Sequence, residues 1–281
     1  MSGGAARDAS AGPPASAAAA AARPGGWRSP GRVLPLILPL LLVALVWEAC
    51  SRWAQTEEMP GLAEIGAAFI TILGNPHDVA GVFASLWRMA AGFALGLAIA
   101  VPIGLAMGRS PALARALNPI TTMVYPVPKA ALMPIIMLWF GIGDLSKVLV
   151  IFLGVSLPLL YHSYQGARSV DEKLVWSARA MGMGAPARLA RVILPAALPE
   201  VLLGCRVGIA MALITMVSSE MIARQDGAGE LLFNALDMAV YPEVYAMILL
   251  IAIIGLSLDF GFERLRRWLV RWSDTLQAND A

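Results

Sequence analysis

The chain has 281 residues, of which 58% are hydrophobic and 14% are charged, and its formal net charge is only +2. One soluble core of this size cannot bury so much apolar surface, so the composition predicts a polytopic membrane protein and argues against a soluble one. The small net charge says little by itself, because the distribution of charge along the chain is what reports orientation in a membrane.

The N-terminal segment, residues 1–32, is rich in Ala, Gly, Pro and Ser and carries four arginines without an amphipathic period. It is predicted to be a disordered cytoplasmic tail. A signal peptide is the alternative, but the apolar stretch begins only at Val33 and no small-residue cleavage site stands out before Arg52. A first span is predicted over residues 33–50 and an outside loop over residues 54–83.

Residues 33–262 are predicted to form a transmembrane domain of about six helices. The later spans are placed at residues 84–108, 117–141, 147–164, 199–222 and 244–262. The third span contains four prolines, so a broken or kinked helix is expected there: Pro119, Pro126, Pro128 and Pro134. Residues 263–281 are predicted to be a basic cytoplasmic tail. The fold class is therefore an all-α polytopic membrane protein.

The positions of lysine and arginine predict the orientation. Of the 21 basic residues, 15 fall in the two tails, after the second span, or around the loop at residues 169–195. By the positive-inside rule, both termini and this loop are predicted to be cytoplasmic.

The polar loop at residues 169–195 is predicted to be a rigid helical knuckle. Ser169 and Glu172 have the spacing of a capping box at the start of a short helix near residues 170–181. Gly182 or Gly184 can adopt the left-handed conformation that ends it. Pro186 suits the start of a second short helix, which Pro195 and Pro199 are expected to close. Leu174, Ala178 and Met181 are expected to share one face.

The segment containing Ala178, Gly182, nine further residues and then Val192-Ile193-Leu194-Pro195 resembles the cytoplasmic "EAA" loop of permease subunits in binding-protein-dependent ABC importers. A second stretch, residues 125–147, resembles the branch of these permeases that handles nitrate, sulfonates and taurine. At the front of the loop, Trp176 and Ser177 stand where the family has glutamate and alanine.

The resemblance implies a subunit of an ATP-driven importer in the bacterial inner membrane, paired with a second copy as a homodimer. ATP and Mg would be bound by partner ATPase subunits, and a periplasmic or extracellular solute-binding protein would deliver the solute. The resemblance also implies a set of residues that couple the loop to the ATPase: Trp176, Ser177, Ala178, Met181, Gly182, Val192, Leu194 and Pro195.

Five residues within the predicted spans are candidates to line a solute path: Lys129, Thr215, Ser218, Ser219 and Glu220. Lys129 is a positive charge within a span and would attract an anion, or alternatively it neutralises carbonyls freed by Pro126 and Pro128. The hydroxyls form a polar stripe, or bond back to their own helix. Glu220 lines the path, or pairs with Arg224 four residues on.

Catalytic and metal-binding patterns are absent from the sequence, which has two cysteines, two histidines and no CxxC, His-Glu-x-x-His or Gly-x-Ser-x-Gly motif. We therefore predict no catalytic residues, metal or cofactor in the chain itself, and no nucleic-acid partner. An ion-gradient-driven secondary transporter is the alternative class, although no internal repeat is evident. The solute stays open, and a heterocyclic precursor is an alternative to an anion such as nitrate, an alkanesulfonate or taurine.

Overall fold

The computed structural model describes residues 30–272, and side chains from residue 38 onward. Most of the predicted N-terminal tail and residues 273–281 of the predicted basic tail therefore lie outside the described residues. The described part is helical throughout, without strands. This confirms the predicted all-α class.

The main helices run in chain order as α1 Pro30–Ala54, α2 Leu62–Gly74, α3 Pro76–Arg109, α4 Pro111–Val124, α5 Met133–Phe140, α6 Asp144–Arg168, α7 Glu172–Ala180, α8 Ala185–Arg188, α9 Leu194–Ala223, α10 Ala228–Asp237 and α11 Tyr241–Leu269. A 3₁₀ turn, Lys129–Leu132, precedes α5. A π-helical segment, Leu189–Ile193, joins α8 to α9 without a break. The chain divides into two compact units, residues 1–50 and 51–281.

Within the first unit, the described part of α1 is one continuous helix with no buried side chain. All the packing described below belongs to the second unit.

Four helices in the described part of the chain are long and apolar enough to cross a membrane: α3, α6, the continuous α8–α9 helix and α11. The pair formed by residues 111–124 and 129–140 bends by 85° and makes a fifth if it is one span. The predicted count of six is not confirmed. The predicted break in the third span is confirmed, and its position matches Pro126 and Pro128.

Two predicted loops contain helices. Residues 54–83, predicted as a loop, include all of α2 and the first two turns of α3. The extra turns of α3 begin where the side chain of Asn75 accepts a hydrogen bond from the His77 amide, followed by Pro76 at the first helical position. The last predicted loop contains α10, and α11 continues to Leu269, seven residues beyond the predicted span end.

The core of the second unit lies where α3, α6 and α9 pack together. Glycines of α3 allow α6 to approach closely: a Cβ added to Gly92 would lie 2.6 Å from Cγ2 of Ile151, and one added to Gly104 would lie 2.5 Å from the carbonyl oxygen of Leu160. These glycines therefore face α6, the fourth of the predicted spans.

The knuckle at residues 169–195 differs from its predicted form at both ends. Asp171 caps α7, because its carboxylate accepts from the Lys173 amide at 2.8 Å. The predicted Ser169–Glu172 capping box is wrong, since the Ser169 hydroxyl donates instead to the carbonyl of Gly166 at 2.9 Å.

The predicted closure of the second short helix at Pro195 and Pro199 is also wrong. The π turn carries α8 directly into α9, and both prolines lie within that continuous helix. The amide of Leu194 bonds the carbonyl of Leu189, five residues back, which widens the turn just before Pro195. A widened turn eases the ring clash that proline makes with the preceding turn of an ordinary α-helix.

Candidate functional site

A cavity of about 560 Å³ lies between the broken helix, α6 and α9. Its volume is in the range of ordinary small-molecule sites. Three of the five sequence-predicted path residues line it: Lys129, Thr215 and Ser218. Ser219 and Glu220 do not line this cavity, because both side chains are fully buried elsewhere. A solute-path role for any of the five stays a prediction.

The ammonium group of Lys129 is held by the backbone of the break. Its Nζ donates to the carbonyl oxygens of Val124 at 2.5 Å, Tyr125 at 3.2 Å and Val127 at 2.6 Å. The α-helical hydrogen-bond ladder stops at these carbonyls, because the helix is interrupted by Pro126 and Pro128, and only the carbonyl of Val124 also accepts from a backbone amide, that of Val127 at 3.2 Å. The lysine therefore stabilises the break, and its charge stays at the wall of the cavity.

The hydroxyls of the predicted polar stripe bond back to α9. Thr215 donates to the carbonyl of Met211 at 2.6 Å, Ser218 to that of Ile214 at 2.8 Å, and Ser219 to that of Met216 at 2.8 Å. A hydroxyl that donates to its own helix retains acceptor lone pairs. Thr215 and Ser218 thus present hydrogen-bond acceptors, and no free donor, to the cavity.

The cavity also contains a histidine that the sequence did not indicate as a path residue. Nδ1 of His162 in α6 lies 2.8 Å from Oε1 of Glu200 in α9. The two side chains meet because α6 and α9 pack closely here: a Cβ added to Gly204 of α9 would lie 2.5 Å from Cβ of His162. The signal available in the sequence was the conjunction of a histidine and a glutamate within apolar segments, but their separation of 38 residues hid the pairing.

Glu220 lies in a buried charge cluster near the end of α9. Its carboxylate accepts from Nη1 of Arg88 at 3.1 Å, from the Ser85 hydroxyl at 2.7 Å and from the amide of Gly229 at 3.0 Å. The alternative pairing of Glu220 with Arg224 is wrong, because Arg224 bonds Asp237 at 2.7 Å. The Glu220 carboxylate of α9 is thus satisfied by two side chains of α3 and by the start of α10.

The cluster extends to α6 and to the connection between α9 and α10. Arg88 donates to Asp144 at 2.7 Å and to the Asp226 carboxylate at 2.6 Å, and Nζ of Lys147 donates to the other oxygen of that carboxylate at 3.2 Å. Burial works to raise the pKa of Asp226, but hydrogen bonds from Arg88 and Lys147 outweigh it, so the pKa of Asp226 lies below its ordinary value.

This cluster lies at the end of the bundle away from the knuckle, because α3 and α6 both run from it towards residues 169–195. It connects three of the long helices and α10 through charge-assisted hydrogen bonds. Arg88 falls within the second predicted span, but the sequence gives no sign of its three acidic partners, Asp144, Glu220 and Asp226.

The knuckle places its predicted coupling residues in three groups. Trp176 and Met181 are exposed, with 63% and 71% of their surface accessible, and Ser177 and Gly182 are also on the outside. Ala178 is only 1% exposed and anchors α7 on the core. Val192, Leu194 and Pro195 lie on the π turn and the start of α9. Of the three residues predicted to share one face, only Ala178 is buried, whereas Leu174 and Met181 are 52% and 71% exposed.

Gly182 ends α7 in a left-handed conformation, with φ of +79°. Its amide donates to the carbonyl of Arg179 at 3.0 Å, and the amide of Met183 donates to that of Ala178 at 3.0 Å. These two bonds define a Schellman motif, which glycine favours because it has no Cβ. The knuckle is therefore fixed by backbone geometry at its bend.

A salt bridge ties the knuckle to α3. Nη2 of Arg109, the last residue of α3, lies 2.8 Å from Oε1 of Glu172, the first residue of α7. Movement of α7 is thereby linked to the end of a long helix. Among residues 30–272, no group of three or more His, Cys, Asp or Glu side chains is placed to hold a metal ion.

These features define a class of protein: a multi-pass helical membrane protein with a cavity beside a broken helix and a braced knuckle whose large side chains are exposed. The chain matches the family described as "Binding-protein-dependent transport system inner membrane component" over residues 92–274. Because this match covers well over half of the chain, the protein belongs to that family.

Relatives and a solved structure agree with this assignment. The chain is 36% identical to the taurine transport system permease protein TauC of Escherichia coli over 69% of this chain and 70% of TauC. It is 30% identical to the putative aliphatic sulfonates transport permease protein SsuC of Bacillus subtilis over 86% of this chain and 88% of SsuC. A structure of the inward-facing MetNI methionine ABC transporter shares the fold, with a TM-score of 0.61, 17% identity, and coverage of 68% of this chain and 95% of that chain.

The protein is thus a permease subunit of an ABC importer, which carries out transport and leaves ATP hydrolysis to a partner. The predicted importer class is confirmed, and the comparisons do not favour an ion-gradient-driven secondary transporter.

Proposed function

We propose that this permease imports a small solute with an anionic oxo group, of the sulfonate, taurine or nitrate type. The observation that carries the proposal is that relatives named for taurine, for aliphatic sulfonates and for nitrate all match most of this chain. The positive charge of Lys129 at the wall of the cavity supports the same class of solute.

The cavity beside the broken helix is proposed as one half of the solute path, and a second copy of the chain supplies the other half. Large apolar side chains around the break support this arrangement, because Tyr125, Leu138 and Trp139 are each more than 70% exposed. Contiguous exposed apolar surface in a helical bundle is typical of an interface with another subunit or with lipid. In the proposed homodimer, the face that carries the broken helix is buried against the second copy, and the other helices contact lipid.

The knuckle is proposed to receive the ATPase subunits, which bind ATP and Mg, on the cytoplasmic side together with both termini. Exposed Trp176 and Met181 are available for that contact, whereas Ala178 and the Arg109–Glu172 bridge transmit the force to the bundle. The end with the Arg88 cluster then faces outward and meets the solute-binding protein. A rigid knuckle transmits the closing movement of the ATPase subunits to the membrane helices, whereas a flexible one would bend and lose that movement.

The coupling role is tested in the assembled transporter by inserting two glycines after Gly182. The expected result is a folded complex that hydrolyses ATP without moving solute, because the Schellman bend is lost. The matched control inserts two glycines after Gly74, an exposed residue at the end of α2, where we expect transport to survive. Normal uptake by the Gly182 insertion would exclude the knuckle as the coupling element.

The solute class is tested by uptake into vesicles containing the permease, its ATPase and its binding protein. Labelled taurine, an alkanesulfonate and nitrate are compared with an uncharged heterocycle. Transport of at least one anion, with Lys129→Arg active and Lys129→Met impaired, is the expected result. Transport of the heterocycle alone would show that the solute is a heterocyclic precursor and not an anion. Uptake driven only by an ion gradient would contradict the ATP-driven importer mechanism.

A further inference from the structure

A polar cavity that shares no lining residue with the cavity beside the broken helix lies where α3, α4, α6 and α7 meet. Its volume is about 410 Å³, and three arginines line it: Arg109, Arg115 and Arg168. Glu172 is the one acidic residue among the described residues that line it, so the formal net charge of the cavity wall is +2. An electropositive concave site attracts and concentrates anions.

Two of these arginines have no carboxylate partner within the described part of the chain. Nε of Arg115 donates to the carbonyl of Pro111 at 3.3 Å, and Nη1 of Arg168 donates to the Tyr164 hydroxyl at 3.2 Å. Only Arg109 is neutralised, by Glu172. Each of the other guanidinium groups keeps most of its five N–H donors, in the planar arrangement that matches a phosphate or sulfate oxygen pair.

The cavity lies at the level where the apolar helices end. Arg109 is the last residue of α3 and Arg168 the last of α6, and both helices are candidate membrane spans. Phosphate groups of lipids lie at this level, just outside the hydrocarbon core. Basic pockets between transmembrane helices at this depth are suited to anionic lipid headgroups.

We propose that this cavity binds a tetrahedral oxyanion through Arg115 and Arg168, as the phosphodiester of an anionic phospholipid or as a free phosphate-type anion. The side chain of Asn118 also lines the cavity and can donate a further hydrogen bond. Because Arg109 contacts both this cavity and Glu172, the bound anion lies beside the salt bridge that holds the knuckle. The anion therefore stabilises the junction between the bundle and the coupling loop.

The test uses the full chain in dodecyl maltoside micelles, which contain no phosphate, and measures the midpoint of its thermal unfolding as phosphatidylglycerol is added. The parent protein is expected to be stabilised in a saturable manner. In the double variant Arg115→Gln/Arg168→Gln, the half-saturating lipid concentration should rise at least about tenfold, because two charge-assisted contacts are lost. Both side chains are exposed, so the variant is expected to fold.

The matched control is Arg264→Gln, which removes an exposed arginine from the same end of the bundle but outside the cavity. Its half-saturating lipid concentration should stay within about twofold of the parent value, since surface charge alone contributes little. The proposed site would be excluded if the double variant bound phosphatidylglycerol with the parent affinity. It would also be excluded if Arg264→Gln lost as much affinity for this lipid as the double variant.

A second arm distinguishes the two sources of the oxyanion. Inorganic phosphate is added to the protein in dodecyl maltoside alone, with sodium chloride at equal ionic strength as the reference. Stabilisation by phosphate that disappears in the double variant identifies a soluble oxyanion as the ligand. Stabilisation by phosphatidylglycerol only identifies the lipid headgroup, and stabilisation by neither contradicts the proposal.

Discussion

Arg88 of α3 and Glu220 of α9 form a buried ion pair, with Nη1 3.1 Å from Oε1 and with exposed fractions of 2% and 0%. The pair joins two of the three helices that form the core of the second unit. Arg88 also donates to the carboxylates of Asp144 and Asp226, so its positive charge is shared by three acidic groups. The guanidinium is therefore the central element of this end of the bundle.

Removing Arg88 should destabilise the protein strongly, because it leaves the Glu220 carboxylate buried without its ionic partner. Breaking a buried pair on one side costs about 3–5 kcal/mol. We expect Arg88→Met to lower the midpoint of thermal unfolding in detergent far more than Arg224→Met, whose ion pair with Asp237 is about half exposed. An equal decrease of the unfolding midpoint in the two variants would show that the buried cluster stabilises the protein no more than an exposed ion pair does.

Gly182→Ala tests the left-handed bend of the knuckle. A Cβ there meets nothing within 4 Å, so the cost is backbone strain alone, about 1 kcal/mol. Gly184→Ala is the matched control, because Gly184 has φ of −64° and the added Cβ would meet only the ring of Pro186 at 4.0 Å. We expect hydrogen exchange in α7 to accelerate in Gly182→Ala and to stay unchanged in Gly184→Ala. The reverse order would contradict the assignment of the bend.

Gly104→Ala tests the close approach of α3 to α6. Its Cβ would lie 2.5 Å from the Leu160 carbonyl oxygen and 2.7 Å from Cβ of Ser163, so the two helices must separate. Overpacking of this kind typically costs about 1–3 kcal/mol. Gly66→Ala in α2 is the control, since nothing lies within 4 Å and a helical alanine is favoured over glycine by up to about 1 kcal/mol. The midpoint temperature of thermal unfolding should fall for Gly104→Ala, and it should stay unchanged or rise for Gly66→Ala.

Local signals in the sequence predicted local features well. The apolar segments predicted membrane helices, Pro126 and Pro128 predicted the break, and Gly182 was one of two glycines predicted for the left-handed bend. Each of these features depends on steric properties of one residue or on the composition of one segment. Such properties act regardless of what the rest of the chain does.

Features that depend on distant partners could not be predicted. Arg88 and Glu220 are 132 residues apart, and nothing in either neighbourhood indicates the pairing. Ser169 and Asp171 are both good helix caps, and the choice is settled because the hydroxyl of Ser169 bonds the end of α6. Pro195 indicated a helix end, but a π turn whose bond spans residues 189 and 194 lets the helix continue.

Asp226 should make stability depend on acid pH. Its folded-state pKa is depressed by Arg88 and Lys147, so its contribution is fully present above the unfolded value of about 3.9 and is lost as the pH falls through the folded value. We expect unfolding midpoints measured in detergent from pH 6 to pH 3 to fall less steeply for Asp226→Asn than for the parent. Parallel curves for the two proteins would indicate that other carboxylates carry the acid sensitivity.

The bridge between Arg109 and Glu172 should affect coupling more than stability. Its carboxylate is 55% exposed, and exposed pairs contribute at most about 1 kcal/mol. Both Arg109→Gln and Glu172→Gln should therefore leave thermal unfolding almost unchanged, but should lower the solute transported per ATP, because α7 is no longer tied to α3. The exchange Arg109→Glu/Glu172→Arg should restore part of that ratio. Single variants that transport with the parent ratio would show that Ala178 and the Schellman bend alone hold the knuckle against the bundle.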